Sequence, residues 1–158
     1  MKVFISGSIS LKTFYTTPVE ELVERNRTIL IGDACGIDKA VQQYLYEQKY
    51  QNVIVYFSGD KVRNNIGYWQ TKQIPNPDNL TGKSRYQLKD KAMADDCDSA
   101  IMFWDGKSKG TKHNRDYVEK LDKYFLVWIY DPSFLVWTDI PFSLICGNMH
   151  KINNMVML

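Results

Sequence analysis

Two glycine-containing loops, each following a short apolar run, hold the residues best suited to bind a charged ligand. The first is residues 32–38, Gly-Asp-Ala-Cys-Gly-Ile-Asp, and the second is residues 105–111, Asp-Gly-Lys-Ser-Lys-Gly-Thr. If each run is a strand and each loop opens a helix, free backbone N–H groups and the helix dipole favour an anion at both places. Because such turns lie at the carboxyl ends of strands in an open α/β sheet, the pair predicts a nucleotide or phosphosugar site.

The second loop offers backbone N–H groups, hydroxyls and lysine ammonium groups to a phosphate. It is not a P-loop, since the Gly-Lys-Ser run at 106–108 lacks the earlier glycine of that motif. The alternative is an ordinary strand-to-helix turn, with glycine for a positive φ and the lysines in solvent. The predicted ligand contacts are Trp104, Asp105, Gly106, Lys107, Ser108, Gly110 and Thr111.

The first loop and the end of the first strand complete the predicted site. Glycines let the backbone approach a ligand, and the aspartates can accept hydrogen bonds from a ribose or a base edge. An alternative role for Asp38 is to cap the following helix. Serines after the first strand also form turns, but they lie where a ligand would pass between the loops. The predicted contacts are Ser6, Gly7, Ser8, Gly32, Asp33, Gly36 and Asp38.

Residues 58–82 form a long connection that holds several Gly, Pro, Asp and Asn residues and has no clean period. A connection of this length inside a small domain is usually a functional lid or a disordered excursion. As lid contacts, Arg63 could clamp a phosphate and Trp69 could stack on a base. The alternative for Trp69 is that it anchors the loop to the body of the protein.

Short apolar runs alternate with helical segments along most of the chain. Strands are predicted at 2–6, 28–31, 53–57, 99–104 and 125–130, and helices at 17–27, 37–49, 84–96 and 112–123. Strands that alternate with helices imply right-handed crossovers between parallel strands. The sequence therefore predicts an α/β protein, a Rossmann-like, doubly wound three-layer domain with a mainly parallel sheet over residues 1–130.

The C-terminal part repeats an apolar motif. Phe-Leu-Val-Trp at 125–128 recurs at 134–137 across a turn-like Asp-Pro-Ser. The simplest interpretation is a hairpin that adds an antiparallel edge strand. We expect the apolar extension 131–158 to pack on the domain or on a partner, which would make it the contact of a homo-oligomer.

Composition limits the remaining classes of protein. A length of 158 residues suits one domain, and 20 basic against 18 acidic residues disfavour a domain that wraps nucleic acid. The three cysteines share no metal-ligand spacing, so neither a metal site nor a disulfide framework is predicted. The sequence shows neither a signal peptide nor an uninterrupted apolar run of about 20 residues. We therefore expect a cytoplasmic protein without a membrane partner.

Segments at 3–8, 32–39, 89–94 with 97–100, and 104–111 resemble the SLOG superfamily. This Rossmann-like group includes the bacterial DNA-processing (SMF) proteins and the cytokinin-activating lonely-guy phosphoribohydrolases. The resemblance covers residues 1–130 in order and spacing. It implies a domain that binds a nucleotide or a nucleotide-derived small molecule across these loops, as a sensor or as an enzyme.

The phosphoribohydrolase members carry a catalytic glutamate in a Pro-Gly-Gly-x-Gly-Thr-x-x-Glu run and an Arg-Lys pair on the preceding helix. In this sequence Asn114 stands at the glutamate position, and Lys89-Asp90 stands at the Arg-Lys pair. An amide cannot take up a proton or stabilise an oxocarbenium ion as a carboxylate does. The resemblance therefore favours a binding or sensing role over that hydrolysis.

Two alternatives to nucleotide sensing stay open. Single-stranded DNA binding, as in the DNA-processing proteins, is disfavoured by the nearly balanced charge. A hydrolase or transferase acting on the N-glycosidic bond of nucleosides or nucleoside monophosphates needs a carboxylate beside the anomeric carbon. The sequence identifies no catalytic residue and no cofactor, and the candidate carboxylates are Asp33, Asp38, Asp90 and Asp105.

Overall fold

A computed structural model describes residues 1–133 and 136–139 of the chain. In this part the strands are β1 (Lys2–Gly7), β2 (Thr28–Gly32), β3 (Val53–Ser58), β4 (Gln70–Ile74), β5 (Ser99–Trp104), β6 (Tyr124–Asp131) and β7 (Val136–Asp139). The helices are α1 (Thr17–Glu24), α2 (Ile37–Glu47), α3 (Gly82–Asp96) and α4 (Lys109–Lys120).

The strands form one sheet in the order β4-β3-β2-β1-β5-β6-β7. Neighbouring strands are parallel, except that β7 runs antiparallel to β6. The chain builds outward from β1 to β4 and then crosses to the other side of β1 with β5. This reversal creates a topological switch point between β1 and β5, the place where open α/β sheets bind ligands. The predicted α/β fold and its antiparallel edge strand are confirmed.

Helices cover both faces of the sheet because successive strand residues point to opposite sides. On one face Val3 and Ile5 pack with residues of α1 and α2, including Val19 and Val41. On the other face Phe4 and Met102 pack with residues of α3 and α4, including Met93 and Val118. Both clusters are nearly inaccessible to solvent, which gives the three-layer arrangement.

Several element boundaries differ slightly from the predicted ones, and two differences have a clear physical cause. The 58–82 connection is not a continuous irregular segment, since β4 forms within it and pairs with β3. Its sequence, Gln-Thr-Lys-Gln-Ile, is polar and mostly exposed, as an edge strand allows. Helix α4 begins at Lys109 rather than at residue 112, because the Ser108 hydroxyl accepts a hydrogen bond from Thr111 N and caps the helix.

The predicted C-terminal extension is described only in part. Residues 136–139 form β7, which pairs with β6 so that Trp137 lies opposite Tyr130. The rest of the extension, residues 134–135 and 140–158, lies outside the described residues. Among the described helices, none is both long and apolar enough to cross a membrane.

Candidate functional site

The two predicted loops meet at one edge of the sheet, with residues 8–10 between them. On one side Gly36 has a φ of +74°, and a Cβ built on it would lie 2.5 Å from the Cα of Ile9. On the other side the Ser10 hydroxyl donates to Asp105 Oδ2 at 2.6 Å. The loops after β1, β2 and β5 are therefore neighbours at the carboxyl ends of their strands, as the sequence predicts.

The second loop is held by its own side chains. Asp105 Oδ1 accepts hydrogen bonds from Lys107 N at 2.9 Å and from Ser108 N at 2.7 Å. The indole N–H of Trp104, which is buried, donates to the Ser108 carbonyl at 3.0 Å. A phosphate that approached these two N–H groups would therefore find them already bonded to the Asp105 carboxylate. Lys107, Gly106 and Gly110 are exposed.

Ser6, in β1, and Ser8, directly after it, join the first and second halves of the domain. Ser8 is fully buried, and its hydroxyl accepts from Asp105 N at 3.1 Å and lies 3.3 Å from Thr111 Oγ1. The Ser6 hydroxyl accepts from Asn114 Nδ2 at 2.8 Å. Gly7 lies between the two serines with no space for a side chain, since a Cβ there would be 2.6 Å from the Phe103 carbonyl oxygen. The residues predicted as ligand contacts at the end of β1 therefore link β1 to the loop after β5 and to α4.

Asp33 and Arg63 form a bidentate ion pair at the first loop. Arg63 Nε and Nη2 donate to the two carboxylate oxygens at 3.0 and 2.5 Å, and Arg63 N donates to Oδ2 at 3.1 Å. Burial alone would raise the pKa of Asp33, but the hydrogen bonds and charge of Arg63 outweigh it and lower that pKa. Arg63 of the 58–82 connection thus contacts the first loop, and its charge is already paired there.

A buried charged group lies beside this pair and joins three helices. Lys89 Nζ of α3 lies 2.6 Å from Asp90 Oδ1 and 3.8 Å from Asp38 Oδ2 of α2. Asn114 of α4 donates to Ser6 and also lies 3.4 Å from Asp90 Oδ2. We call Ser6, Asp38, Lys89, Asp90 and Asn114 the Lys89 cluster. The side chains of Lys89 and Asp38 are 4% and 9% exposed, so water screens them little.

Gly32 makes room for this cluster. A Cβ built on Gly32 would lie 2.3 Å from Asp38 Oδ2 and 2.4 Å from Lys89 Nζ. The sequence predicts that Gly32 lets the backbone approach a ligand closely. In the structure the space beside Gly32 is filled by the ammonium group of Lys89 and the carboxyl group of Asp38. Asp38 also accepts from Ala34 N at 3.2 Å, which ties the cluster to the first loop.

Burial and neighbouring charges shift the pKa values of Asp38 and Lys89. Burial raises the pKa of Asp38 from 3.8 to about 6, and the nearby Lys89 ammonium offsets only part of this effect. Burial would lower the pKa of Lys89, but the carboxylates of Asp90 and Asp38 more than compensate and raise it. Lys89 is therefore a permanent cation at neutral pH, and Asp38 changes charge near pH 6.

Trp69 does not reach the site. Its indole is 6% exposed, and Nε1 donates to the Tyr50 carbonyl at 2.8 Å. Trp69 directly precedes β4, and Tyr50 precedes β3, so both lie at the amino ends of the strands, opposite the loops. The predicted lid contact is wrong for Trp69, because burying the indole against the core anchors the connection instead.

Sequence reasoning singled out Lys89 and Asn114 only through the resemblance, without predicting that they meet. One signal was available for Lys89, which precedes the buried Met93 by four residues and so shares its inward helix face.

No protein-family model matches this chain, and no curated protein matches it. Within the described ranges, no three His, Cys, Asp or Glu side chains are grouped to hold a metal ion.

Asp38→Asn is expected to change how stability depends on pH. Between pH 3.8 and about 6 the unfolded chain releases the Asp38 proton while the folded protein keeps it, since the pKa of Asp38 is raised on folding. The wild type therefore loses stability relative to the variant as pH rises through this window, by about 3 kcal/mol at most. Urea unfolding at pH 4, 5, 6 and 7 measures the difference.

The exposed Asp78 provides the matched control for this experiment. Asp78→Asn is expected to follow the wild-type pH profile. A constant difference in unfolding free energy between Asp38→Asn and wild type across the range would show that Asp38 is already ionised at pH 4.

Proposed function

We propose that this chain is a binding domain for a nucleotide or a nucleotide-derived small molecule, with the ligand at the carboxyl ends of β1, β2 and β5. The observation that carries the proposal is the Lys89 cluster, in which side chains of α2, α3 and α4 meet beside the switch point. Open α/β sheets generally bind their ligands at such a switch point. Buried charge is costly, and such groups concentrate at functional sites.

The positions at which the sequence resembles the SLOG superfamily support this proposal. Asn114 and Lys89-Asp90 stand where the phosphoribohydrolases carry their glutamate and their Arg-Lys pair, and they lie on different helices. In this fold Asp90 lies within 3.4 Å of Asn114 and 2.6 Å of Lys89. Residues of two different helices can contact one ligand only if the fold brings their side chains together. The positions of Lys89, Asp90 and Asn114 in the sequence do not by themselves ensure this.

Asp90 is the member of the cluster best placed to meet a ligand. Its side chain is 19% exposed, against 4% for Lys89. A carboxylate accepts hydrogen bonds from ribose hydroxyls or from the amino group of a base, and the Asn114 amide can both donate and accept. The ion pair with Lys89 holds the Asp90 carboxylate in place. The cluster is therefore suited to the polar sugar or base of a ligand.

Thermal-shift measurements with adenine, guanine and pyrimidine ribonucleotides test the proposal. We expect at least one nucleotide to raise Tm with concentration, as binding to the folded state requires. Gly110→Asp adds a carboxylate in the exposed first turn of α4, where a Cβ has nothing nearer than Ser108 Oγ at 3.9 Å. Because like charges across a contact are repelled, this variant is expected to bind the nucleotide about tenfold more weakly or worse.

Gly110→Ala is the matched control, since it adds a Cβ without charge and is expected to bind as the wild type does. The absence of any shift across the nucleotide panel contradicts the proposal. If Gly110→Asp and Gly110→Ala bind the nucleotide with equal affinity, the second loop is not part of the binding site. The proposed site is then limited to the Lys89 cluster.

A second candidate function, cleavage or transfer at an N-glycosidic bond, is favoured by one observation. Asp90 Oδ2 lies 3.4 Å from Asn114 Nδ2, so a carboxylate stands beside the position that carries glutamate in the phosphoribohydrolases. A carboxylate there could stabilise positive charge at the anomeric carbon or accept a proton. Chromatography after incubation with the bound nucleotide separates the candidates, since free base indicates cleavage and intact nucleotide indicates binding alone.

A further inference from the structure

A cavity at the carboxyl end of β3 carries positive charge that lies outside the Lys89 cluster. Its volume is about 290 Å³, and its lining includes Lys61, Arg63 and Arg85, with Asp60 as the one acidic residue. Arg63 is already paired with Asp33. Lys61 and Arg85 form no ion pair with the described residues, so the cavity has a net positive charge.

Arg85 is fixed at this cavity by its neighbours. Its carbonyl accepts a hydrogen bond from the Ser58 hydroxyl at 2.8 Å, which ties the start of α3 to the end of β3. The guanidinium lies against Gly59, where an added Cβ would be 3.4 Å from Arg85 Cζ. The Tyr86 ring lies close to two guanidinium groups, with its centroid 5.2 Å from Arg85 Cζ and 4.2 Å from Arg63 Cζ. The cationic groups are thus held close together.

One donor of Arg85 is left without an acceptor. Arg85 Nε is buried and has no hydrogen-bond partner among the residues that the structure describes. Buried donors in folded proteins are nearly always bonded, because leaving one unpaired is costly. A planar guanidinium fork matches the oxygens of a phosphate, and hydrogen bonds between charged groups are the strong ones.

We propose that this cavity binds a phosphate or pyrophosphate group, with Arg85 as the main donor and Lys61 and Arg63 as supporting charges. The group could belong to a free anion or to the end of a nucleotide, and the recognition chemistry is the same. The site differs from the second loop, where the Asp105 carboxylate already accepts the N–H groups. It stands independently of the nucleotide function proposed above.

Isothermal titration calorimetry with sodium pyrophosphate tests this site on the full chain. We expect wild-type binding that weakens as NaCl is raised, since the contacts are ionic. Arg85→Gln removes the charge but keeps hydrogen-bonding capacity, and it is expected to weaken binding about tenfold or more. Arg25→Gln, at an exposed arginine at the end of α1, is the matched control and should bind as wild type does.

Adenosine, adenosine monophosphate and adenosine diphosphate distinguish the two sources of the phosphate group. Nucleotide binding that Arg85→Gln weakens, with little effect on adenosine, places a nucleotide phosphate in the cavity. Pyrophosphate binding without nucleotide binding supports the cavity and contradicts the nucleotide proposal. Absence of pyrophosphate binding at millimolar concentration, or equal affinity of Arg85→Gln and wild type, overturns the cavity proposal.

Discussion

Lys89→Met is expected to lower the free energy of unfolding by about 3–5 kcal/mol at pH 7. The substitution keeps a long apolar stem but removes the cation that lies between Asp38 and Asp90. Asp38 and Asp90 then lose the cation that offsets the burial of their charges, in a site that water screens little. Urea or thermal unfolding followed by far-UV circular dichroism measures the loss.

Two variants separate the charge effect from the helix. Lys83→Met makes the same change at an exposed position of α3 and is expected to alter stability by less than about 0.5 kcal/mol. Adding Asp38→Asn to Lys89→Met removes one of the two carboxylates and should recover part of the stability. If Lys89→Met is as stable as Lys83→Met, the Lys89 cluster does not hold α2 and α3 together.

Gly7→Ala is expected to destabilise the protein by about 1–3 kcal/mol, the usual cost of overpacking a tightly packed site. The added methyl group would lie 2.5 Å from Ile37 Cγ1 and 2.6 Å from the Phe103 carbonyl oxygen. Backbone cannot move aside as a flexible side chain can, so α2 or the end of β5 must shift. Equilibrium unfolding gives the cost, and nucleotide titration shows the effect on the site.

Gly110→Ala is again the useful control, because the same methyl group enters open space in a helix and should leave stability unchanged or raise it by up to about 1 kcal/mol. Wild-type stability in Gly7→Ala would mean that the ends of β1 and β5 are farther apart than described here.

The architecture was predictable because its signals are local. Runs such as 3–5 and 100–103 are apolar throughout, as strands covered on both faces must be, and amphipathic segments separate them. Strand β4 escaped prediction for the opposite reason. Gln70–Ile74 lies at the sheet edge with most of its side chains in solvent, so it carries no apolar pattern to recognise.

The place where the loops meet was predictable, but the side-chain contacts made there were not. Strand-to-helix turns and the switch point follow from the order of elements, and they locate the loops that hold Asp33 and Asp105. The partners of these side chains come from elsewhere in the chain, as Arg63 and Lys89 show. Such pairings depend on how the helices pack on the sheet, so they cannot be predicted from the spacing of residues within one segment.

The central position of β1 affects the order in which the chain can fold. Val3 aligns with Ile29 of β2 on one side and with Ser99 of β5 on the other. During synthesis the first strand can therefore acquire one neighbour early, but the second only after the ribosome has completed β5. Contacts so distant along the chain slow folding and leave an apolar strand edge uncovered meanwhile. The same crossing that creates the switch point thus leaves the nascent protein open to misassociation until more than half of it has been made.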